Sequence, residues 1–471
     1  MLSLRSPSRS TWEDLPPEVF EHTLTYPDEA SLLTLAQLNR FFNYVALERF
    51  FGKAMMKTLR TESKISNPPD GGGVRDNVAE GLRLALWLQN LEHIHYYVSK
   101  ETFISELKSL QKVVSRQQGL KTFHIDLKEA KIWYISADIE ENLAALCDVA
   151  IEKGCDVLKL SRLEVFMRCP PKATPAIEGS STPRNLRSLR ICGALLYVPI
   201  TIYGFNLLQK HSQTIRYLHF DPSTSFVGRD VWIHVLEFYL FPSLETFQFE
   251  NLVVTQALPK SLVRFLSHQP TIKKLRVSFG LCRRTNPFES LEQPALPNLS
   301  LVDAESSFIA WLFRNPDVCP NVQKVIINQG EANGRFLDEA LQVVAGSTRS
   351  PPESIVLRVC LYSPFWSAWM MRHIEDEFED EESGLRDVRI VRLSFRVDST
   401  TVEMDAEAMQ CFARWIALFP TLRHLEIQRP SDNDVVDVAS GERKLYDVVF
   451  RHCPNLESFS FVPWDDDGFG E

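Results

Sequence analysis

Histidine side chains recur at short intervals near the start of the chain's main body. His93 and His95 are two residues apart, and His124 follows in a later stretch of similar sequence. Residues two apart on a β-strand point to one face, and neighbouring strands lie about 5 Å apart, so His124 would lie beside His95. The trio could bind a metal ion or an acidic group, become charged near pH 6.5, or line a solvated face. We predict no resident metal or cofactor.

Motifs of catalytic sites are absent from the sequence. It contains no G-x-S-x-G, no H-E-x-x-H and no glycine-rich nucleotide fingerprint. The three glycines at 71–73 are not followed by Gly-Lys-Ser/Thr, so they indicate a flexible connection and not a phosphate cradle. We therefore expect a protein that binds other molecules and is not an enzyme.

Composition narrows the choice of partner and compartment. The 471 residues carry a formal net charge of -10, which argues against nucleic acid as the main partner. No run approaches 18 apolar residues and residues 1–11 lack the apolar core of a secretory signal, so we expect neither membrane insertion nor export. None of the nine cysteines forms a C-x-x-C pair, which is typical of buried thiols in a reducing compartment. We expect a cytoplasmic or nuclear protein, or both.

Six short phrases repeat along the second half of the chain. Each has a proline, one further residue, and then apolar residues at offsets 0, 3 and 5, where offset 0 is the first apolar position. The proline ends one element, and the alternation at offsets 3 and 5 predicts a strand with one buried side. The phrases are FPSLETFQF (241–249), QPTIKKLRV (269–277), LPNLSLVDA (296–304), CPNVQKVII (319–327), FPTLRHLEI (419–427) and CPNLESFSF (453–461).

Weaker copies bring the number of predicted repeat starts to thirteen. Helix-like segments separate them, such as 228–240 and 406–419, and a unit this small must stack on its neighbours to bury its apolar face. We therefore predict an α/β solenoid of parallel strands with helices on the other side. In the segment 406–419 the predicted core-facing residues are Met409, Phe412, Trp415, Ile416 and Phe419. The weaker copies begin at Leu91, Leu120, Leu160, Leu186, Ile215, Ser354 and Ile390.

The L-x-x-L-x-L pattern resembles the leucine-rich repeat, which implies a horseshoe with parallel strands on its concave side. The family usually places Asn or Cys three residues after the last apolar position. Here that slot holds residues such as Ser99, Lys128, Arg168 and Ala194, so the family's side-chain ladder is missing. The regularity and curvature of the repeats therefore stay open.

Offsets 2 and 4 of each repeat face away from the predicted core and are the candidate target-binding positions. Lys274 and Arg276 form a basic spot that could receive an acidic or phosphorylated segment. The target itself, any need for its phosphorylation, and the oligomeric state are not encoded in these patterns. The candidates are His93, His95, His124, Arg190, Tyr217, His219, Lys274, Arg276 and His424.

Residues 12–60 hold more apolar side chains than three short helices can bury. Asp14 can cap a first helix, and Asp28 or Ser31 a second one. Excess apolar surface is typical of a protein interface. The alternative is a helical cap on the end of the solenoid.

The order Leu-Pro-Pro-Glu-Val (15–19), Leu-Leu (32–33) and Asn-Arg-Phe-Phe (39–42) resembles the F-box. The resemblance implies docking on a Skp-type adaptor and, through it, on the cullin and RING subunits of a ubiquitin ligase, with an unknown target protein on the repeats. A non-ligase scaffold built from the same modules is the alternative. Thr23 and Pro27 depart from the family's aliphatic residues. By the resemblance, the adaptor contacts are Leu15, Pro16, Val19, Leu24, Leu32, Leu33 and Leu35, and docking requires Leu15, Leu32 and Leu33 to be reachable.

We accordingly expect four segments in the chain. These are a disordered tail at 1–11, an F-box-like helical module at 12–60, a linker at 61–80, and a leucine-rich-repeat-like solenoid at 81–471. The acidic run at 375–382 is predicted to be a solvated loop between repeats, with a docking site for a basic partner as the alternative.

Overall fold

Strand, loop and helix alternate along almost the whole described chain, as the repeated phrases predict. The structure is a computed structural model, and the chain divides into two compact units, unit 1 (Met1–Leu186 with Val198–Ile200) and unit 2 (Arg187–Tyr197 with Thr201–Glu471). The residues that the structure describes are 19, 22–61, 64–66, 78–98, 103–127, 137–163, 186–193, 200–221, 229–252, 257–279, 286–328, 335–346, 354–358, 364–374, 390–396, 406–429 and 439–463.

Unit 1 begins with helices and continues as a repeat of parallel strands. Its strands pair in sequence order, each with the next. The helices are α1 Glu29–Leu35, α2 Arg40–Thr61, α3 Val78–Leu84, α4 Phe103–Ser115 and α5 Ala137–Glu152, and the strands are β1 Lys64–Ser66, β2 His93–Tyr97, β3 Thr122–Asp126 and β4 Val157–Leu163.

Unit 2 continues the same alternation with ten described strands that are again parallel and in sequence order. The strands are β5 Ser188–Gly193, β6 Tyr217–Asp221, β7 Thr246–Leu252, β8 Lys274–Phe279, β9 Leu301–Glu305, β10 Lys324–Asn328, β11 Ser354–Arg358, β12 Arg392–Arg396, β13 His424–Arg429 and β14 Ser458–Pro463. The helices are α6 Ile200–His211, α7 Arg229–Phe238, α8 Leu258–Ser267, α9 Ser306–Leu312, α10 Arg335–Ala345, α11 Pro364–Ile374, α12 Ala406–Ile416 and α13 Ala439–His452.

The apolar periodicity of the sequence builds the core of each repeat. Side chains at offsets 3 and 5, such as Phe247 and Phe249 on β7, are fully buried, because every second residue of a strand faces the helices. The predicted core-facing stripe of 406–419 is confirmed, since all five of its residues are buried. The α/β solenoid class is therefore correct for both units.

Two predicted repeat starts are in the wrong register. The parallel pairing places Thr122 opposite Val157, so the repeat that contains β4 starts at Cys155 and not at Leu160. The pairing of Lys324 with Ser354 puts Ser354 at offset 2 of its repeat. A buried cysteine replaces the usual leucine in the first case, which hid the true start.

A polar ladder does connect successive repeats, although the family's Asn or Cys slot is not kept. Asn298 donates a hydrogen bond to the carbonyl of Pro270 at 2.9 Å, and Asn321 donates to that of Pro297 at 2.7 Å. Both asparagines directly precede offset 0. Since a proline carbonyl still accepts hydrogen bonds while its nitrogen cannot donate, the side chain at this position ties each turn to the previous one.

The cysteines in the described part of the chain are thiols. Cys147, Cys155, Cys192, Cys319 and Cys411 are buried, and burial raises the pKa of Cys319 to about 12.

Within the described residues, no helix is both long and apolar enough to cross a bilayer.

The amino-terminal helices pack directly on the first repeat. Buried Asn43, on α2, donates hydrogen bonds to the carbonyls of Ala36 and Leu84, both at 2.8 Å. A Cβ atom built on Gly81 of α3 would lie 2.6 Å from the ring of Phe50, so only glycine permits this approach. The range 61–80 that we predicted as a linker contains β1 and the start of α3. Close packing of the amino-terminal helices on the repeats is typical of a cap. We had expected a separate module joined by a linker.

Replacing Asn43 with Ala should loosen the contact between the helices and the repeats. It removes a donor from the carbonyls of Ala36 and Leu84, the second of which also accepts from the backbone of Leu86 at 2.8 Å. The loss of these buried hydrogen bonds costs about 1–3 kcal/mol. Urea unfolding of the full chain measures the loss of free energy, and limited proteolysis locates it. Asn142→Ala is the matched control, because Asn142 donates to a carbonyl on its own exposed helix surface and should change stability by less than about 0.5 kcal/mol. Equal effects of the two substitutions would contradict the bridging role of Asn43.

Candidate protein-interaction surfaces

The residues predicted to contact an adaptor differ widely in their exposure to solvent. Leu32 and Leu33 are only 5% and 7% exposed, and Leu24 is also buried. The chain itself covers these side chains. The prediction that a partner can reach Leu32 and Leu33 is therefore wrong. Leu35 is half-buried and Val19 is 49% exposed. Leu15, Pro16 and the predicted cap Asp14 lie outside the described residues.

Large apolar side chains nevertheless remain exposed on these helices. Leu38 is 63% and Phe41 56% exposed, at the junction of α1 and α2. Half of the exposed large apolar residues among those described lie between residues 19 and 44. We call this set the head surface; it consists of Val19, Tyr26, Leu38, Phe41 and Tyr44.

The two departures from the F-box pattern sit beside this surface. The hydroxyl of Thr23 donates to the carbonyl of Val19 at 2.7 Å, which satisfies it within its own helix. Pro27 precedes Asp28, whose carboxylate caps α1 by accepting from the backbone of Ser31 at 2.8 Å. The Ser31 hydrogen bonds lower the pKa of Asp28. The choice left open between Asp28 and Ser31 is therefore resolved in favour of Asp28.

The strand face carries polar residues in three rows, at offsets 2, 4 and 6 of the repeats. In unit 1, His95 and His124 are paired across β2 and β3, and their rings stack at 3.9 Å. The predicted adjacency of these two histidines is confirmed. His93 lies one row away, with its Nδ1 2.9 Å from the hydroxyl of Thr122. Strand pairing thus separates the trio into a stacked pair and one histidine with another neighbour.

In unit 2, residues of the offset 4 and offset 6 rows form a network of charges around one buried carboxylate. Asp303 is 0% exposed and accepts hydrogen bonds from Arg276 at 2.7 Å, from Arg358 at 3.0 Å and from Asn328 at 2.7 Å. Arg276 also lies 3.3 Å from Glu250. Arg276 was predicted to form a small basic spot with Lys274. Two carboxylates neutralise the charge of Arg276, so Arg276 adds no net positive charge to that spot.

His219 and Glu250 form a second buried contact on this face, 3.6 Å apart. Burial lowers the pKa of His219, and its interaction with Glu250 opposes this only in part. Burial raises the pKa of Glu250, but the contacts with His219 and Arg276 outweigh it and lower the pKa to about 2. His219 is 2% exposed, so its predicted position on a solvent-facing surface is wrong.

The other predicted target-binding residues are half-buried. Arg190 donates from Nε to the sulfur of Cys192 at 3.3 Å, and Nδ1 of His424 lies 2.9 Å from the hydroxyl of Ser458. Tyr217 and Lys274 are each partly accessible at offset 2. Their roles in target contact stay predictions.

The third row was missed by the sequence reasoning, which stopped at offset 4. The alternation of a strand continues, so offset 6 faces the same side. This row contains Asp126, Glu250 and Arg358, and the alternation itself was the signal that could have found them. On β10 and β11 the offset 4 positions hold buried Ile326 and Val356, which pack with Leu301 in an apolar cluster. The strand face is therefore partly apolar.

Replacing Asp303 with Asn should destabilise the full chain by about 3 kcal/mol or more. Two guanidinium groups would then lose their shared carboxylate in a buried site. Urea unfolding at pH 7 measures the change in free energy. Glu245→Gln is the control: Glu245 pairs with Lys273 at 2.9 Å on the surface, where an ion pair contributes about 0–1 kcal/mol. Similar losses in the two variants would refute a buried network.

Replacing His219 with Gln should reduce the loss of stability on mild acidification. As pH falls below the ordinary histidine pKa of 6.5, the unfolded chain takes up a proton that the folded chain resists, so folding weakens. The groups that act on His219 are Glu250, Arg190 and Asp221. The free energy of unfolding at pH 7.5 and at about pH 5.5, with His424→Gln as control, tests the sign. If the wild type loses no more unfolding free energy on acidification than the His219→Gln variant does, burial does not suppress the protonation of His219.

Comparison with known proteins does not assign a family. No protein-family model matches the sequence, and no curated protein matches it. Among solved structures the chain is similar to the one titled "Crystal structure of Rad7 and Elc1 complex in yeast", with a TM-score of 0.34 and 12% sequence identity. That match covers 91% of this chain and 96% of that chain. The function of the chain has therefore to be inferred from its own surfaces.

Proposed function

We propose that this chain is a non-catalytic substrate receptor, which docks on a Skp-type adaptor and holds a target protein on its repeats. The observation that supports the proposal best is the head surface. Five large apolar side chains stay exposed between residues 19 and 44, which is half of all such side chains among the described residues. Apolar groups concentrated at a surface favour association with a protein.

The adaptor contact is proposed for the exposed residues and not for every residue of the family pattern. Val19, Leu38 and Phe41 can reach a partner without any change in the helices. Leu24, Leu32 and Leu33 support these helices from inside. A few well-packed side chains contribute most of the binding energy at protein interfaces, and large apolar residues are suited to fill such pockets.

The repeats supply the second half of the proposal. Their strand rows present half-buried polar residues such as His93, Tyr217 and His424, held in register by the sheet. Residues held this way need little ordering when a partner binds, which limits the entropic cost. Joining a target to an adaptor that also carries cullin and RING subunits raises the effective concentration of target near the ubiquitin donor.

A scaffold without ubiquitin transfer is the second candidate. It is favoured by the packing of α2 against α3 through Asn43 and Gly81, which gives the helices a structural role as a cap. In that case the head surface binds an adaptor or another protein, and no cullin follows.

A pull-down with a tagged Skp-type adaptor tests both candidates. The double variant Leu38→Asp with Phe41→Asp should reduce adaptor recovery at least about tenfold, equivalent to ~1.4 kcal/mol, because buried charge opposes an apolar interface. Phe238→Asp with Leu240→Asp is the matched control, since both are exposed apolar residues of unit 2.

Each outcome separates the candidates. Recovery of adaptor and cullin with wild type and control, but not with the head variant, supports the receptor. Adaptor without cullin supports the scaffold. Full recovery with the head variant would show that the head surface is not the docking site.

A further inference from the structure

Unit 1 brings two histidines and one aspartate together on the strand face. His95 and His124 occupy offset 4 of β2 and β3, and Asp126 occupies offset 6 of β3. One nitrogen of each imidazole and one oxygen of the carboxylate all lie within 4.8 Å of one another. Asp126 was not among the residues singled out in the sequence, whereas His93 was and lies outside this group.

The strands hold the three side chains in place. The two rings stack at 3.9 Å with an angle of 11° between their planes, and Nε2 of His124 lies 2.8 Å from the hydroxyl of Ser161 on β4. Asp126 is only 5% exposed.

The donor set selects a class of ion. Two imidazole nitrogens and one carboxylate oxygen suit zinc and neighbouring first-row divalent ions better than Ca²⁺ or Mg²⁺, which prefer oxygen. Tetrahedral zinc with bonds of about 2.0–2.1 Å needs ligand atoms roughly 3.3 Å apart. Rotation about the side-chain torsions must bring the ligand atoms from within 4.8 Å of one another to this spacing. The two rings must also leave their stacked arrangement, because the lone pair of an imidazole nitrogen lies in the plane of its ring. Lys159 is paired with His124 across the sheet, so its charge opposes the cation and the carboxylate has to offset it.

We propose that His95, His124 and Asp126 form a binding site for a divalent first-row transition metal ion, with Zn²⁺ as its natural probe. The sequence alone led us to expect no metal, and its pattern joined His93 to the pair and left out Asp126. Three protein ligands leave one coordination position for water or for a side chain of a bound protein. The site does not depend on the adaptor proposal.

Isothermal titration of the full chain with Zn²⁺ alone tests the site. The wild type should bind one equivalent of Zn²⁺. The affinity for Zn²⁺ should fall by at least about 100-fold in Asp126→Asn and in His95→Gln. His93→Gln is the matched control, since His93 lies on the same strand, one pleat away, and contacts Thr122 instead. It should bind as the wild type does.

A second measurement keeps the test decisive if a variant fails to fold. Co²⁺ added to the wild type should give the intense visible absorption of a four-coordinate ion with nitrogen and oxygen ligands, and Zn²⁺ should abolish it. Absence of saturable Zn²⁺ binding by the wild type at micromolar concentrations overturns the proposal. Equal loss of affinity in His93→Gln and Asp126→Asn overturns it as well.

Discussion

Hydrogen bonding between parallel strands in sequence order is the constraint on which the rest of each unit depends. Within each unit the strands pair with the strand of the next repeat, and apart from a register shift after Phe249 on β7 the side chains at equal offsets form rows. Rows at offsets 3 and 5 build the apolar core, and those at 2, 4 and 6 build the opposite face. A shift by one residue would exchange the two sets, because side chains alternate between faces. The chemistry of the surface is thus a consequence of register.

That register explains why charged residues can be buried on the strand face. Asp303 is fully enclosed, yet Arg276, Arg358 and Asn328 reach it from neighbouring strands. Burial of a lone carboxylate would be costly, and the pairing offsets that cost. The stacked pair of His95 and His124 in unit 1 follows from the same geometry, with Asp126 beside it. Strand pairing therefore both neutralises charges and assembles possible ligands.

The amino-terminal helices show the features of both alternatives, a cap on the repeats and an exposed apolar surface. Asn43 and Gly81 bind them to the first repeat, as a cap requires. Leu38 and Phe41 remain on their surface, as an interface requires. A helix has more than one face, so the same segment can close a repeat array and present apolar side chains to a partner.

Sequence periodicity by itself determined the repeated strand and helix, the core rows and the position of most strands, because offsets 0, 3 and 5 are local and strongly apolar. It failed at Cys155, where a cysteine fills the leucine position, and it stopped one row early on the strand face. Only the tertiary structure decided that Leu32 and Leu33 are buried, that Arg276 is neutralised and that Asp126 joins the stacked histidines. Each of these depends on which residues from separate segments of the chain become neighbours, and a local pattern contains no record of its partners across the sheet or between helices.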